Sequence, residues 1–90
     1  MSQALRKALI DWLDDNYHFG DAEALIGGDD DKSFLQNGIL TSLGFVELLL
    51  FLEKSFGVRI ERKDISPANF DSLRKIVTFV VAMPGFRGPQ

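Results

Sequence analysis

The chain has 90 residues, enough for one small domain, and close to half of them are apolar, so a compact core can form. It contains no cysteine, which excludes disulfides, thiolate metal sites and cysteine nucleophiles, and its one histidine leaves little from which to build an enzyme active site. The net charge of −3 is uneven, with eight of the thirteen acids before Lys32, which argues against a nucleic-acid ligand and permits a basic protein partner.

The N-terminus has no long apolar stretch before a small-residue cleavage site, so a signal peptide is not expected. The longest apolar run, residues 48–52, is too short to span a bilayer. We therefore expect a monomeric cytoplasmic protein without membrane insertion.

The first predicted element is an amphipathic helix over residues 2–16, with Ser2 as its N-cap and Gly20 as its stop signal. Its inner face is formed by apolar residues that recur at helical spacing, namely Leu5, Ala8, Leu9, Trp12 and Leu13. Trp12 is therefore interpreted as a core residue. His18 follows with no nucleophile beside it in sequence, which favours a loop residue over a catalytic base.

Residues 20–40 form a long connection with a short helical turn over residues 22–26. Ordered loops of this length in small domains are often functional. Three consecutive carboxylates at residues 29–31 attract hard cations, but the spacing of an EF-hand is missing. We expect these acids to be solvated, with incidental divalent binding at most.

The second long helix is predicted over residues 42–56, with Thr41 or Ser42 as its cap and Gly57 as its end. Its core stripe comprises Phe45, Leu48, Leu49, Leu52 and Phe56. The opposite side carries Leu43, Val46, Glu47, Leu50 and Lys54, with Phe51 at its border. A helix with so many apolar faces is either buried or contacts a partner.

A short extended segment over residues 58–60 is followed by a helical turn that starts at Ser66 and Pro67. Asp71 is predicted to begin the last helix and Pro84 to end it. Its inner face comprises Leu73, Ile76, Val77 and Val80, joined by Phe79 or Val81. The predicted fold class is all-α: a small four-helix bundle, with three main helices and one short helix, and a long loop between the first two helices. The domain covers residues 1–83, and residues 84–90 form a flexible tail.

Ser42 lies where a polar loop becomes an apolar helix. A helix N-terminus presents free N–H groups and the positive end of the helix dipole, which favours a phosphate ester on a serine there. Gly44 nearby is expected to leave room for an approaching enzyme. A serine in this place also serves simply as an N-cap.

The segment GILTSLGFVEL at residues 38–48 resembles the modification motif of acyl carrier proteins, as does its continuation FLEKSFGVRI at residues 51–60. The later NFDSL at residues 69–73 is similar to the entry of that family's last helix. The resemblance spans residues 34–80, and the first helix fits the family architecture.

The resemblance implies a carrier protein without catalytic activity of its own. A phosphopantetheinyl transferase would attach 4'-phosphopantetheine from coenzyme A to Ser42. The thiol of this arm would carry acyl or aminoacyl groups as thioesters between loading ligases, synthases and transferases, for example in fatty acid or polyketide biosynthesis. The missing cysteine agrees with this, because the thiol arrives with the cofactor.

Two departures indicate a specialised carrier with dedicated partners. The residue before the serine is usually Asp in the family, where it helps some transferases dock, and here it is Thr41. The family's second helix is usually rich in acids, whereas this one offers Glu47 and Glu53 against Lys54. The cargo is left open.

The predicted contact surface beside the arm is formed by Leu43, Val46 and Leu50, with Glu47 and Glu53 steering the partner. A cleft for an acyl chain is a further hypothesis, and its lining would include Phe45, Leu49 and Phe79. The alternative is that the two phenylalanine side chains fill this cleft. Ser72 follows an aspartate, as the short motif requires, but is interpreted as the first turn of a helix capped by Asp71. The alternative function is an unmodified helical interaction module in which Ser42 only caps.

Overall fold

A computed structural model of the chain describes residues 3–86. Within this range lie five α-helices: α1 (Gln3–Leu13), α2 (Ala22–Ile26), α3 (Ser42–Phe56), α4 (Pro67–Phe70) and α5 (Leu73–Val81). A π-helical turn over Asp14–His18 continues α1, and a 3₁₀ turn covers Arg62–Asp64. No β-strand occurs in residues 3–86, so the predicted all-helical class is confirmed.

Of the apolar face predicted for α1, Leu5, Leu9 and Leu13 are buried, whereas Ala8 and Trp12 are half-buried and pack against the core. Ile10, which the pattern did not include, is buried as well. Helical backbone continues beyond the predicted end and stops at Phe19, whose φ of 50° is left-handed. The Phe19 N–H donates to the Asp14 carbonyl at 2.8 Å. The stop is therefore one residue before Gly20, while the predicted cap, Ser2, lies outside the described residues.

The prediction that the acidic run at residues 29–31 is solvated is wrong for Asp30, which is half-buried, whereas Asp29 and Asp31 are exposed. Arg6 donates to both carboxylate oxygens of Asp30, at 3.0 Å each, and to both oxygens of Glu23, at 3.1 and 2.6 Å. Arg74 donates to Asp31 at 2.8 Å, and its backbone N–H donates to the Asp30 carbonyl at 2.9 Å. The long loop is thus tied to both α1 and α5.

Helix α3 has the bounds that the sequence predicted. Thr41 is the N-cap, since its hydroxyl accepts from the Gly44 N–H at 3.2 Å. Gly57, with a φ of 72°, ends the helix in the left-handed region that glycine adopts at low cost. The core stripe is confirmed for Leu48, Leu49, Leu52 and Phe56, which are buried, while Phe45 is half-buried.

The cap predicted for the last helix, Asp71, is wrong by one residue, and α5 itself begins at Leu73. The N-cap of α5 is Ser72, whose hydroxyl accepts from the Lys75 N–H at 3.1 Å. The Asp71 carboxylate faces the long loop instead, where it accepts from Ser33 Oγ at 2.6 Å and from the Leu35 N–H at 3.0 Å. The sequence pattern could not show this choice, because these partners are distant along the chain.

The inner face predicted for α5 is confirmed, with Leu73, Ile76, Val77 and Val80 all buried. Phe79 joins it by packing edge-on against Phe70, with ring centroids 5.0 Å apart. The packed region extends beyond residue 83, because Phe86 stacks on Phe56 at 6.1 Å. The predicted tail therefore does not start at Pro84, and residues 87–90 lie outside the described part of the chain.

Between residues 3 and 86, no helix combines the length and the apolar character that a membrane span requires.

Candidate functional site

Ser42 is the first residue of α3, and its side chain is exposed. The cap of this helix is Thr41, whose hydroxyl occupies the Gly44 N–H. The N–H groups of the first helical residues have no acceptor within their own helix, and the positive end of the dipole lies there. The Ser42 hydroxyl is therefore accessible at a place that stabilises an anion.

The segment that leads into Ser42 is fixed by hydrogen bonds. His18 Nε2 donates to the Ile39 carbonyl at 2.7 Å, and the Ile39 N–H donates to the Phe34 carbonyl at 2.8 Å. Since a carbonyl only accepts, this contact requires a proton on Nε2. Ile39 and Leu40 are buried, so the chain is anchored immediately before the exposed serine. His18 thus closes the helical turn after α1 and holds the loop, and it is not the loop residue that the sequence indicated.

Gly44 does not make room for an approaching enzyme, contrary to the sequence-based expectation. It is buried, and a Cβ atom on it would lie 2.6 Å from Leu40 Cδ2 and 3.4 Å from Tyr17 Oη. A side chain at this position would collide with Leu40 inside the fold. The glycine therefore permits close packing between the loop, the turn after α1 and the first turn of α3.

An apolar groove opens beside Ser42, between α3 and α4, with a volume of about 440 Å³. Its lining consists of Leu35, Ser42, Phe45, Val46, Leu49, Leu50, Glu53, Ile60, Ile65, Ser66, Pro67, Phe70 and Asp71. Ser42 and Glu53 are eleven residues apart on α3, so the groove follows the helix for roughly 16 Å at its rise per residue.

The predicted cleft residues are only partly brought together. Phe45 and Leu49 line the groove beside Ser42 and leave it open. Phe79 does not line it, because it packs on Phe70 and faces a second depression between α4 and the end of α5, of about 570 Å³. Its assignment to the cleft is therefore wrong.

The three apolar residues predicted as a contact surface are exposed, and we call them the α3 stripe. Leu43 has 70% of its surface exposed, Val46 has 55% and Leu50 has 62%. Their spacing of three and four residues places them on one face of the helix.

The two carboxylates predicted to steer a partner are both engaged within the chain. Glu47 accepts a hydrogen bond from the Tyr17 hydroxyl, which raises the pKa of Tyr17. Glu53 Oε2 accepts from the Ile60 N–H at 2.8 Å and so holds the segment after α3. Sequence reasoning missed Tyr17, since thirty residues separate it from Glu47 and no local pattern links them.

Ser72, the second serine with a motif-like neighbour, is inaccessible. None of its surface is exposed, and its hydroxyl is used to cap α5. The folded chain thus offers Ser42, and not Ser72, to a modifying enzyme.

The most enclosed charged contacts lie away from Ser42, where Arg6 joins Glu23 and Asp30. Hydrogen bonds from Arg6 lower the pKa of Glu23 and of Asp30. Within residues 3–86, no group of three or more metal-ligating side chains is arranged to hold an ion.

Comparison with protein-family models, with curated proteins and with solved structures gave no match to this chain. A function for Ser42 therefore has to follow from its own geometry and from the motif around it.

Proposed function

We propose that the chain is a carrier protein with the four-helix architecture of acyl carriers, in which α1, α3 and α5 are the main helices and α4 is the short one. Ser42 is the attachment point of 4'-phosphopantetheine. The observation that carries the proposal is an exposed serine hydroxyl on the first residue of a 15-residue helix, beside an apolar groove.

The chain itself contributes only the attachment site and its surroundings to this chemistry. On a phosphopantetheinyl transferase, Ser42 Oγ attacks the phosphorus of the arm in coenzyme A, so that an O–P bond to Ser42 forms and the pyrophosphate P–O bond to the nucleotide breaks. The nucleotide part leaves as the adenosine bisphosphate, and the hydroxyl proton passes to a base of the transferase. The α3 N-terminus stabilises the negative charge of the resulting phosphodiester. The groove lies within reach of the attachment point and suits the apolar part of a thioester-bound acyl group.

The test is an intact-mass measurement after incubation with coenzyme A and a permissive transferase. We expect a gain of one phosphopantetheine group, which Ser42→Ala abolishes. Ser55→Ala is the matched control, because Ser55 is also exposed and lies on the same helix. No mass gain with several transferases would refute the proposal.

A second candidate function is an unmodified interaction module of the same fold. The exposed α3 stripe favours it, since side chains as large as Leu43 and Leu50 are unusual when they cluster on a surface. This function predicts that Ser42→Ala leaves partner binding and cellular function intact, whereas the carrier function predicts that cellular function is lost, because the arm can no longer be attached.

A further inference from the structure

The α3 stripe occupies the middle of the exposed side of its helix. At roughly 100° per residue, Leu43, Val46 and Leu50 project within about 60° of one another. Ser42 and Glu53 border the stripe on the groove side, and Glu47 and Lys54 border it on the side of Tyr17. Val46 lies one turn after Ser42 on α3, so an enzyme that contacts Ser42 from this exposed side also contacts the stripe.

The charges around the stripe do not form an acidic patch. Glu47 is held by the Tyr17 hydroxyl, and Glu53 by the Ile60 N–H. Lys54 is exposed and lies on the same border as Glu47, so this border carries one charge of each sign. These hydrogen bonds come from neutral donors and leave both carboxylates charged, so two negative charges and the one positive charge of Lys54 surround the stripe, and a basic docking surface would find only a weak net attraction there.

We propose that the transferase that modifies Ser42 docks on the α3 stripe through an uncharged apolar surface, and not through a cluster of lysines and arginines. The inference rests on the proposed function and specifies the partner for the same site. Contact between apolar surfaces depends on the area removed from water, so it is insensitive to salt, whereas pairing between exposed charges is screened.

The experiment uses a transferase that modifies the wild-type chain in the mass assay, and it measures kcat/KM for that modification. Leu43→Ala is the main variant, since Leu43 is the most exposed residue of the stripe and does not line the groove. Leu25→Ala is its matched control, an exposed leucine on α2. We expect kcat/KM to fall about tenfold in Leu43→Ala and to stay unchanged in Leu25→Ala.

The electrostatic arm of the experiment varies salt and charge. Between about 0.05 M and about 0.5 M NaCl, we expect kcat/KM to change less than about twofold. The double variant Glu47→Gln with Glu53→Gln should also stay within about twofold, because glutamine keeps an acceptor oxygen and removes only the charge.

Three outcomes overturn the inference. A steep fall of kcat/KM with salt and in the glutamine variant shows a basic docking surface. An unchanged Leu43→Ala variant shows that the stripe is not used. Both results leave Ser42 modified and the proposed function intact, whereas the absence of any modification refutes the proposed function and this inference together.

Discussion

Arg6 is predicted to be the largest single electrostatic contributor to the stability of the fold. Its guanidinium donates to two carboxylates in two-pronged contacts, with Asp30 in the long loop and Glu23 in α2. The side chains of Arg6 and Asp30 are only 20% and 13% exposed, whereas that of Glu23 is 58% exposed. The Asp30 contact therefore contributes more, because solvent screens it less.

The expected loss follows from these two contacts. Net contributions of hydrogen bonds to charged groups are about 1.5–3 kcal/mol, and an exposed pair adds at most about 1 kcal/mol. Arg6→Met, which keeps the length and removes the charge, should thus lower the free energy of unfolding by about 2–3 kcal/mol at pH 7. The loss is a large part of the total stability of a domain of this size, which is roughly 5–13 kcal/mol. For a chain of this length it corresponds to a fall in Tm of about 10–20 °C.

The effect has a defined pH dependence. The bonds from Arg6 lower the pKa of Asp30 and of Glu23 in the folded state, relative to unfolded values near 4. A lowered carboxyl pKa contributes stability above the unfolded pKa, and this contribution is lost as the pH falls through the folded pKa. The stability difference between wild type and Arg6→Met should therefore be full at pH 5–7 and shrink below about pH 4.

The assay is urea denaturation followed by circular dichroism at pH 7 and at about pH 2.5. Lys7→Met is the matched control, because it makes the same charge change on α1 at a pair with Asp11 in which both side chains are more than half exposed. The control should stay close to wild type. An equal loss in both variants, or a loss in Arg6→Met that is unchanged at low pH, would refute the reasoning.

Three further variants test the ends of the helices. Thr41→Asp keeps an N-cap side chain and adds the acid that some transferases dock on, so a generic transferase should modify Ser42 faster in a mass time course, at an unchanged Tm. Phe19→Asn should raise the free energy of unfolding by about 0.5–1 kcal/mol in urea denaturation, because Phe19 is 86% exposed and its left-handed backbone disfavours a bulky side chain. Ser72→Ala should lower it by about 1–2 kcal/mol through the lost cap, while Ser42 is still modified. Slower modification of Thr41→Asp, or a lower free energy of unfolding in Phe19→Asn, contradicts the corresponding argument. So does an undiminished stability or a lost modification in Ser72→Ala.

The parts of the fold that could be predicted are those coded by neighbours in sequence. The bounds of α3 follow from a cap residue, a helical apolar period and Gly57 within one segment. The inner face of α5 follows from its period in the same way. The position of Ser42 at a helix start was therefore predictable from the residues around it.

The parts that could not be predicted depend on partners far along the chain. Asp30 looks solvated until Arg6, twenty-four residues earlier, is placed beside it. Glu47 looks free until the turn after α1 brings Tyr17 to it. Local sequence patterns do not identify pairs that are this far apart along the chain. The sequence therefore predicted the serine and its helix, but it did not predict which neighbouring charges are hydrogen-bonded within the chain.

The roles of Thr41 and Ser42 are separated by the structure in a way that bears on function. Thr41 and Ser42 were both candidates for the N-cap of α3. A capping role alone would explain the position of Ser42 at the helix start, without any modification. Because Thr41 makes the bond to the Gly44 N–H, α3 keeps its cap without the Ser42 hydroxyl. Ser42→Ala therefore leaves the helix terminus intact. A loss of modification in this variant shows that the oxygen to which the phosphopantetheine is attached is missing, and not that the site is unfolded.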